Sequence, residues 1–221
     1  MALTPTLDTI LEAVKAGDLA QVQALLAADP ALVAERDAQG ISALLHAQYR
    51  GRADIVALLR AAAPTLDVFE ASALGDIERL RALLDADPAL ANTWAGDGFF
   101  PLGLAAFFGQ TDAVRLLLDR GADVHAVARN AMKVTAMNAA AAANSRRAEV
   151  ARLLLDYGAT VDARQEGGWT PLHAAAQSGD VELVTLLLAR GADPALANDY
   201  GKTAAALAEE KGHAEVLKLV T

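Results

Sequence analysis

The side chains able to move protons or hold a metal are few and scattered. Histidines stand at His46, His125, His173 and His213, each in a different stretch of the chain and without metal-ligand spacing. Carboxylates gather loosely at Asp85, Asp87, Asp119 and Asp123. Such acids do acid–base chemistry when an enclosed, water-poor pocket lifts one of their pKa values. No HExxH, GxxxxGKS/T or GxGxxG pattern occurs in a fitting context, and no GxSxG occurs. The absence of cysteine removes disulfides, thiolate zinc sites and cysteine nucleophiles. These residues predict a non-enzymatic protein with no cofactor and no metal.

Two other groups carry recognition chemistry. Four of the five phenylalanines fall in GDGFFPLGLAAFFGQ, as Phe99, Phe100, Phe107 and Phe108, with Trp94 just upstream. Clustered aromatic rings on a surface are typical anchors for a partner. They also serve as plain core filler. The second group is Arg129, Lys133, Arg146 and Arg147, a stretch without an acid in a chain of net charge −9. A loop of this kind is either a basic patch or a solvated segment paired with nearby acids such as Glu149 and Asp156. The overall charge weighs against direct nucleic-acid binding, which needs many clustered cations. It favours a neutral or basic partner and helps solubility.

The elements that must position these groups recur at a fixed interval. Glycines at Gly17 and Gly51, and at Gly75 and Gly109, are 34 residues apart, and Gly179 and Gly212 are 33 apart. The 70 residues between Gly109 and Gly179 hold two intervals, with Asn144 near the missing marker. Asparagine also tolerates positive φ, so it fits a tight turn. Between such marks lie a short apolar helix and a second helix with one greasy face, as at Leu183, Val184, Leu187 and Leu188. Approximate units run 5–35, 37–65, 66–94, 97–127, 130–163, 167–197 and 200–221. Stacking, not any single unit, must create the core. No run approaches 18 apolar residues, so no membrane span is expected. The first residues lack a signal-peptide pattern, and a cytoplasmic protein is expected.

The clearest copy, TPLHAAAQSG followed by LLLARGAD, resembles an ankyrin repeat, and the resemblance extends in register along essentially the whole chain. It implies an all-α solenoid of stacked helix–turn–helix units with short hairpin fingers. Thr170 would cap its helix, Pro171 would sit at the first turn, and His173 would tie neighbouring backbone. ADPAL replaces GAD at 28–32 and 86–90. The resemblance also implies recognition of proteins through the concave groove and finger tips. An adaptor, inhibitor or scaffold is the leading expectation. The alternatives are a nucleic-acid-associated or stress-related accessory protein using the basic stretch, and a structural spacer. The partner is unidentified, and self-association satisfies the same logic.

Three departures from the pattern matter. Gly51 and Gly75 are only 24 residues apart, too close for a finger, and a tight turn at Pro64 is expected with an interrupted groove. Gly121 to Gly158 spans 37 residues, about four too many, expected as two in the finger and two between the helices. The phenylalanine cluster is the third. On the register the resemblance implies, Phe99, Phe107 and Phe108 face the groove, Phe100 packs inward, and Gly103 in place of histidine makes room for a ring. Equivalent groove positions are Ile41, Tyr49, Arg50, Trp169, Gln177, Tyr200, Lys202 and Glu210. Tyr49, Phe99, Phe107, Phe108, Trp169 and Tyr200 are the expected partner-binding residues. Arg129, Lys133, Arg146 and Arg147 form the secondary patch.

Overall fold

The computed structural model describes residues 4–63, 65–143 and 145–221. Short helices come in pairs: α1 (Leu7–Ala16) with α2 (Leu19–Ala28), α3 (Ala43–Tyr49) with α4 (Ala53–Ala62), α5 (Val68–Leu74) with α6 (Ile77–Ala86), and α7 (Pro101–Phe107) with α8 (Thr111–Asp119). After these come α9 (Ala136–Ala142) with α10 (Arg147–Asp156), α11 (Pro171–Ser178) with α12 (Val181–Ala189), and α13 (Ala204–Lys211) with α14 (Ala214–Val220). The odd helices stack on one another as one layer and the even helices as another. Successive outer helices pack together along the stack, but α4 and α6 do not reach that contact among the described residues. The core runs as one band through the units, from Ile10 to Val220.

Local chemistry starts and stops each helix. Thr6, Ser42, Asp67, Thr135, Thr170 and Thr203 cap the inner helices, each accepting from the amide three residues on. Pro171 occupies the first turn of α11, where its missing N–H costs nothing. The six glycines of the sequence ruler have φ between +63° and +73°, a region costly for a side chain with a Cβ. Asn144, expected to replace one of them, lies outside the described residues. The left-handed turn residue before α10 is Arg146, at φ +52°. From cap to cap, Thr135 to Arg146 is one residue longer than Thr170 to Asp180, rather than the two expected between the helices. The ADPAL segments form 3-10 turns at Pro30–Ala34 and Pro88–Asn92, capped by Asp29 and Asp87.

Fingers close where Asp37, Ala95, Ala128, Gln165 and Asn198 donate their amides to Ile41, Phe99, Val134, Trp169 and Lys202 carbonyls, at 2.8–3.0 Å. Neighbouring fingers are stitched by main-chain bonds: Arg129 N–H to Gly98 O at 2.8 Å, Glu166 N–H to Met132 O at 3.0 Å, and Asp199 N–H to Gly167 O at 2.9 Å. The third unit has no room for a finger, since α4 ends at Ala62 and α5 begins at Val68. The turn expected at Pro64 lies outside the described residues. The fourth finger therefore closes directly on the second. A Cβ on Gly96 would stand 1.9 Å from the Gln39 carbonyl oxygen, so only glycine permits this approach.

Polar side chains fasten the units, and the fastener differs at each joint. His173 Nδ1 accepts from the Thr170 amide at 3.1 Å, which leaves Nε2 to donate to the Lys202 carbonyl at 3.0 Å. Asn138 fills the same position in α9, accepting from the Thr135 amide at 3.1 Å and donating to Ala163 O at 2.8 Å. Glu70 fills it in α5, 3% exposed, taking the Ser42 hydroxyl at 2.5 Å and Arg36 at 3.2 Å. Burial, ahead of every other influence, holds the His173 imidazole below its ordinary pKa.

These contacts make two testable predictions. Gly96→Ala is expected to cost about 3 kcal/mol or more, the upper end for an overpacked site, because the added Cβ meets main chain. Gly40→Ala meets nothing within 4 Å and should cost only its left-handed backbone, about 1–2 kcal/mol. Urea midpoints for the two variants check the ranking, and equal or reversed losses would show that the finger-on-finger contact is not tight. His173 titrates with a native pKa below its unfolded one, so the unfolded chain binds more protons and stability falls as pH drops below about 6.5. His173→Asn, which copies the Asn138 joint, should flatten the melting temperature between pH 7.5 and 5.5, whatever it does to absolute stability. An unchanged slope would assign the acid sensitivity to other groups.

Candidate functional site

Four aromatic rings converge beside the fourth finger. Tyr49 ends α3, Phe99 follows the fourth finger, and Phe107 and Phe108 close α7. Tyr49 lies 6.2 Å from Phe99 and stacks on Phe108 at 6.0 Å, and Phe107 meets Phe108 edge-on at 5.1 Å. Beneath them lie Ile41, Leu45, Ala73 and Leu104, all buried. Asp97 fixes the arrangement, since one carboxylate oxygen takes the Tyr49 hydroxyl at 2.8 Å and the other the Phe99 amide at 3.0 Å. Burial, then the Asp97 charge, raises the Tyr49 pKa well above its ordinary value. A second-unit tyrosine reaches a fourth-unit finger because no third finger stands between them.

Beside these rings is a recess of ≈ 270 Å³. It is lined by Tyr49, Phe99 and Phe107, by Met132 and Val134 of the fifth finger, and by Gly103, Leu104, Ala139 and Ala142, with Asn138 and Gln165 as the polar members. Phe100 is 2% exposed and does pack inward, against Gly103, whose Cβ would lie 3.0 Å from that ring. Sequence reasoning missed Met132, Val134, Asn138, Ala142 and Gln165. The signal for them was the extra length of the fifth unit, together with Asn138 interrupting an alanine run.

The remaining expected residues do not join this recess. Trp169 and Tyr200 flank Gly167 of the sixth finger, outside the lining, with Trp169 edge-on to His173 at 5.9 Å and Tyr200 73% exposed. Ile41, assigned to the groove, is 3% exposed beneath Tyr49 and is core instead. Trp94 donates to the Val127 carbonyl at 3.0 Å and carries the Arg129 guanidinium over its ring at 3.5 Å. The basic stretch is divided by α9, which puts a rise of roughly 10 Å between its ends. Lys133 pairs with Glu166 at 3.0 Å, Arg146 with Glu149 at 3.8 Å, and Arg147 with Asp180 at 3.7 Å. Asp156 pairs with Arg190 instead of with this stretch.

The histidines stay apart in space as in sequence. His46 sits 2.7 Å from Asp37, and His213 Nε2 lies 3.1 Å from the Gln177 carbonyl. Among the described residues, no group of three or more His, Cys, Asp or Glu is placed to hold a metal. No helix among them is long and apolar enough to cross a membrane. A larger recess of ≈ 520 Å³ at the turn before α10 is open and polar, bordered by Arg146, Arg147, Glu149, Asp180 and Glu182.

The family described as "Ankyrin repeats (3 copies)" matches residues 68–165 and 141–221. Among similar proteins, ankyrin repeat and SAM domain-containing protein 6 of Rattus norvegicus is 34% identical over 104 residues, 47% of this chain and 11% of that protein. Neurogenic locus notch homolog protein 4 of Homo sapiens is 41% identical over 110 residues, 49% of this chain and 5% of that protein. The DNA-binding protein RFXANK of Homo sapiens is 35% identical over 80 residues, 36% of this chain and 31% of that protein. This chain thus corresponds to less than a third of the length of each of these relatives.

Proposed function

Since this chain belongs to the ankyrin-repeat family, we propose that it is a non-enzymatic protein-recognition module whose principal contact is the concave aromatic recess of units two, four and five. The observation that carries this reading is the convergence of Tyr49, Phe99, Phe107 and Met132, from four separate segments, around one open apolar recess. Exposed apolar surface of this kind is costly in water and is relieved by a partner. Phe108 braces the rings from behind, and Trp169 and Tyr200 offer a second contact along the fingers. A specific interface would bury roughly 1,200–2,000 Å² in total, so the fingers and inner helices around the recess would share the contact. A net charge of −9 favours a neutral or basic partner surface. A reducing, cytoplasmic setting belongs to the same reading, supported by the absence of cysteine.

The nucleic-acid alternative gains nothing specific. RFXANK is named a DNA-binding protein, and its likeness covers 36% of this chain. Here Lys133, Arg146 and Arg147 face acids, and Arg129 lies on Trp94.

The test is affinity capture from native extract, read by mass spectrometry, with circular dichroism on every variant. Met132 is 54% exposed, so Met132→Lys should fold normally while placing a charge in the recess. This variant and Phe107→Ser/Phe108→Ser should each lose a shared partner by about 30-fold or more, as loss of a hot spot does. Arg129→Ala/Lys133→Ala should leave that partner in place. Partners kept by both recess variants would sink the assignment. A captured second copy of the chain, with a matching change in size-exclusion volume, would make the partner itself.

A further inference from the structure

The chemistry of the recess selects its occupant more narrowly than "a protein". We propose that it is a socket for one uncharged apolar side chain, a leucine, methionine or phenylalanine, presented by an extended segment of the partner, with Gln165 receiving that segment's main chain. This rests on the protein-recognition reading above and names what the site accepts.

Charge is the first argument. Among the described residues no charged side chain lines the socket, and Asp97, Lys133 and Glu166, close to its lining in sequence, are answered from within the chain. Asp97 is held by the Tyr49 hydroxyl and the Phe99 amide. Lys133 and Glu166 pair with each other at 3.0 Å. Asn138 is equally committed, to Thr135 on one side and to Ala163 on the other. A lysine or aspartate side chain entering here would lose its hydration and find no free counter-charge. An apolar side chain loses nothing of that kind and gains burial.

Size and surface make the second argument. A volume of ≈ 270 Å³ lies just under the range of ligand pockets, about 300–1,000 Å³, so it suits one large side chain rather than a folded loop. The short side chains of Ala139 and Ala142 in the lining leave room for it. The rings of Tyr49, Phe99 and Phe107 offer faces and edges for a ring or an aliphatic chain. Met132, exposed and unbranched, can adjust the opening to either.

Gln165 makes the third. Its main-chain amide closes the sixth finger on Trp169 O at 2.9 Å, and the half-buried residue is one of the two polar members of the lining. A primary amide both donates and accepts. It therefore matches the free N–H and C=O of an extended residue, which a helical segment would keep for itself.

The experiment uses the whole ¹⁵N- and methionine-methyl-labelled chain, titrated with N-acetyl methylamides of leucine, methionine, phenylalanine, lysine, aspartate and glycine. The three apolar compounds should shift the Gln165 side-chain amide and the Met132 methyl signals saturably, with a Kd of about 1–10 mM, near the weak end of measurable binding. The lysine and aspartate compounds should bind at least tenfold more weakly, as expected for burying an unpaired charge. Ala142 is exposed on α9 and lines the socket, so Ala142→Trp should fill it, keep the fold and abolish those shifts. Equal binding of charged and apolar compounds overturns the proposal. So does saturable binding that survives Ala142→Trp, and so does the absence of any saturable shift up to 50 mM, roughly five times the weakest affinity expected. Should one of these results coincide with partner loss in Met132→Lys, protein recognition stands and only the single-residue socket falls. Socket binding without any captured partner has the opposite meaning.

Discussion

Each helix pair in this chain is too thin to bury its own apolar face, and that constraint shapes everything else. The helices are 7–10 residues long, well below the length at which an isolated helix holds together in water. Their stability comes from neighbours, so the core is a band continued from unit to unit. Close approach needs small side chains, which is why Ala105, Ala106, Ala140, Ala175 and Ala176 are fully or almost fully buried. In three inner helices a polar side chain one turn after the cap reaches beyond its own helix. Glutamate in α5 accepts from Ser42 of the second unit, asparagine in α9 donates to Ala163 after α10, and histidine in α11 reaches Lys202 of the seventh unit.

The same constraint explains how a missing finger brings the second and fourth units together. A stack tolerates a missing finger only if its neighbours close the gap. The second and fourth fingers do so through Gly96, whose lack of a side chain brings two main chains together. Once they are in contact, Tyr49 finds Asp97, and three rings from separate segments settle against one another. The aromatic cluster is thus partly structural, since its rings cover Ile41, Leu45, Ala73 and Leu104. It is also partly open, since the recess remains beside it. One group of rings thus both covers core and borders an open recess.

Much of the fold was legible because its signals are local and repeated. A glycine at positive φ, a threonine cap and a greasy helix face need no knowledge of distant residues, and their recurrence in register multiplies a weak signal. The inward turn of Phe100 was readable for the same reason, from Gly103 three positions on. The recess was less legible. Its walls come from residues 49, 99, 107, 132 and 165, joined by finger contacts that depend on one missing hairpin. Ile41 shows the limit well. Register placed it in the groove, and only the ring of Tyr49 above it makes it core. The basic stretch reads as one patch in sequence because an alanine helix carries no charge to interrupt it. In space that helix is a spacer, and the cations at its two ends have separate acidic partners.

The recess finally depends on two irregularities acting together. The short third unit draws Tyr49 and the fourth finger into contact, and the longer fifth unit adds Met132 and Val134 to the lining. Lys133, at φ +49°, holds the finger position that glycine takes elsewhere, so this finger keeps its backbone shape with a charged residue at the turn. That charge is returned to Glu166 of the sixth finger. The outcome is a neutral apolar cavity inside an acidic protein. Among the described residues no charged side chain lines this cavity, so an ionised group placed there would lose hydration without gaining a counter-charge from the lining.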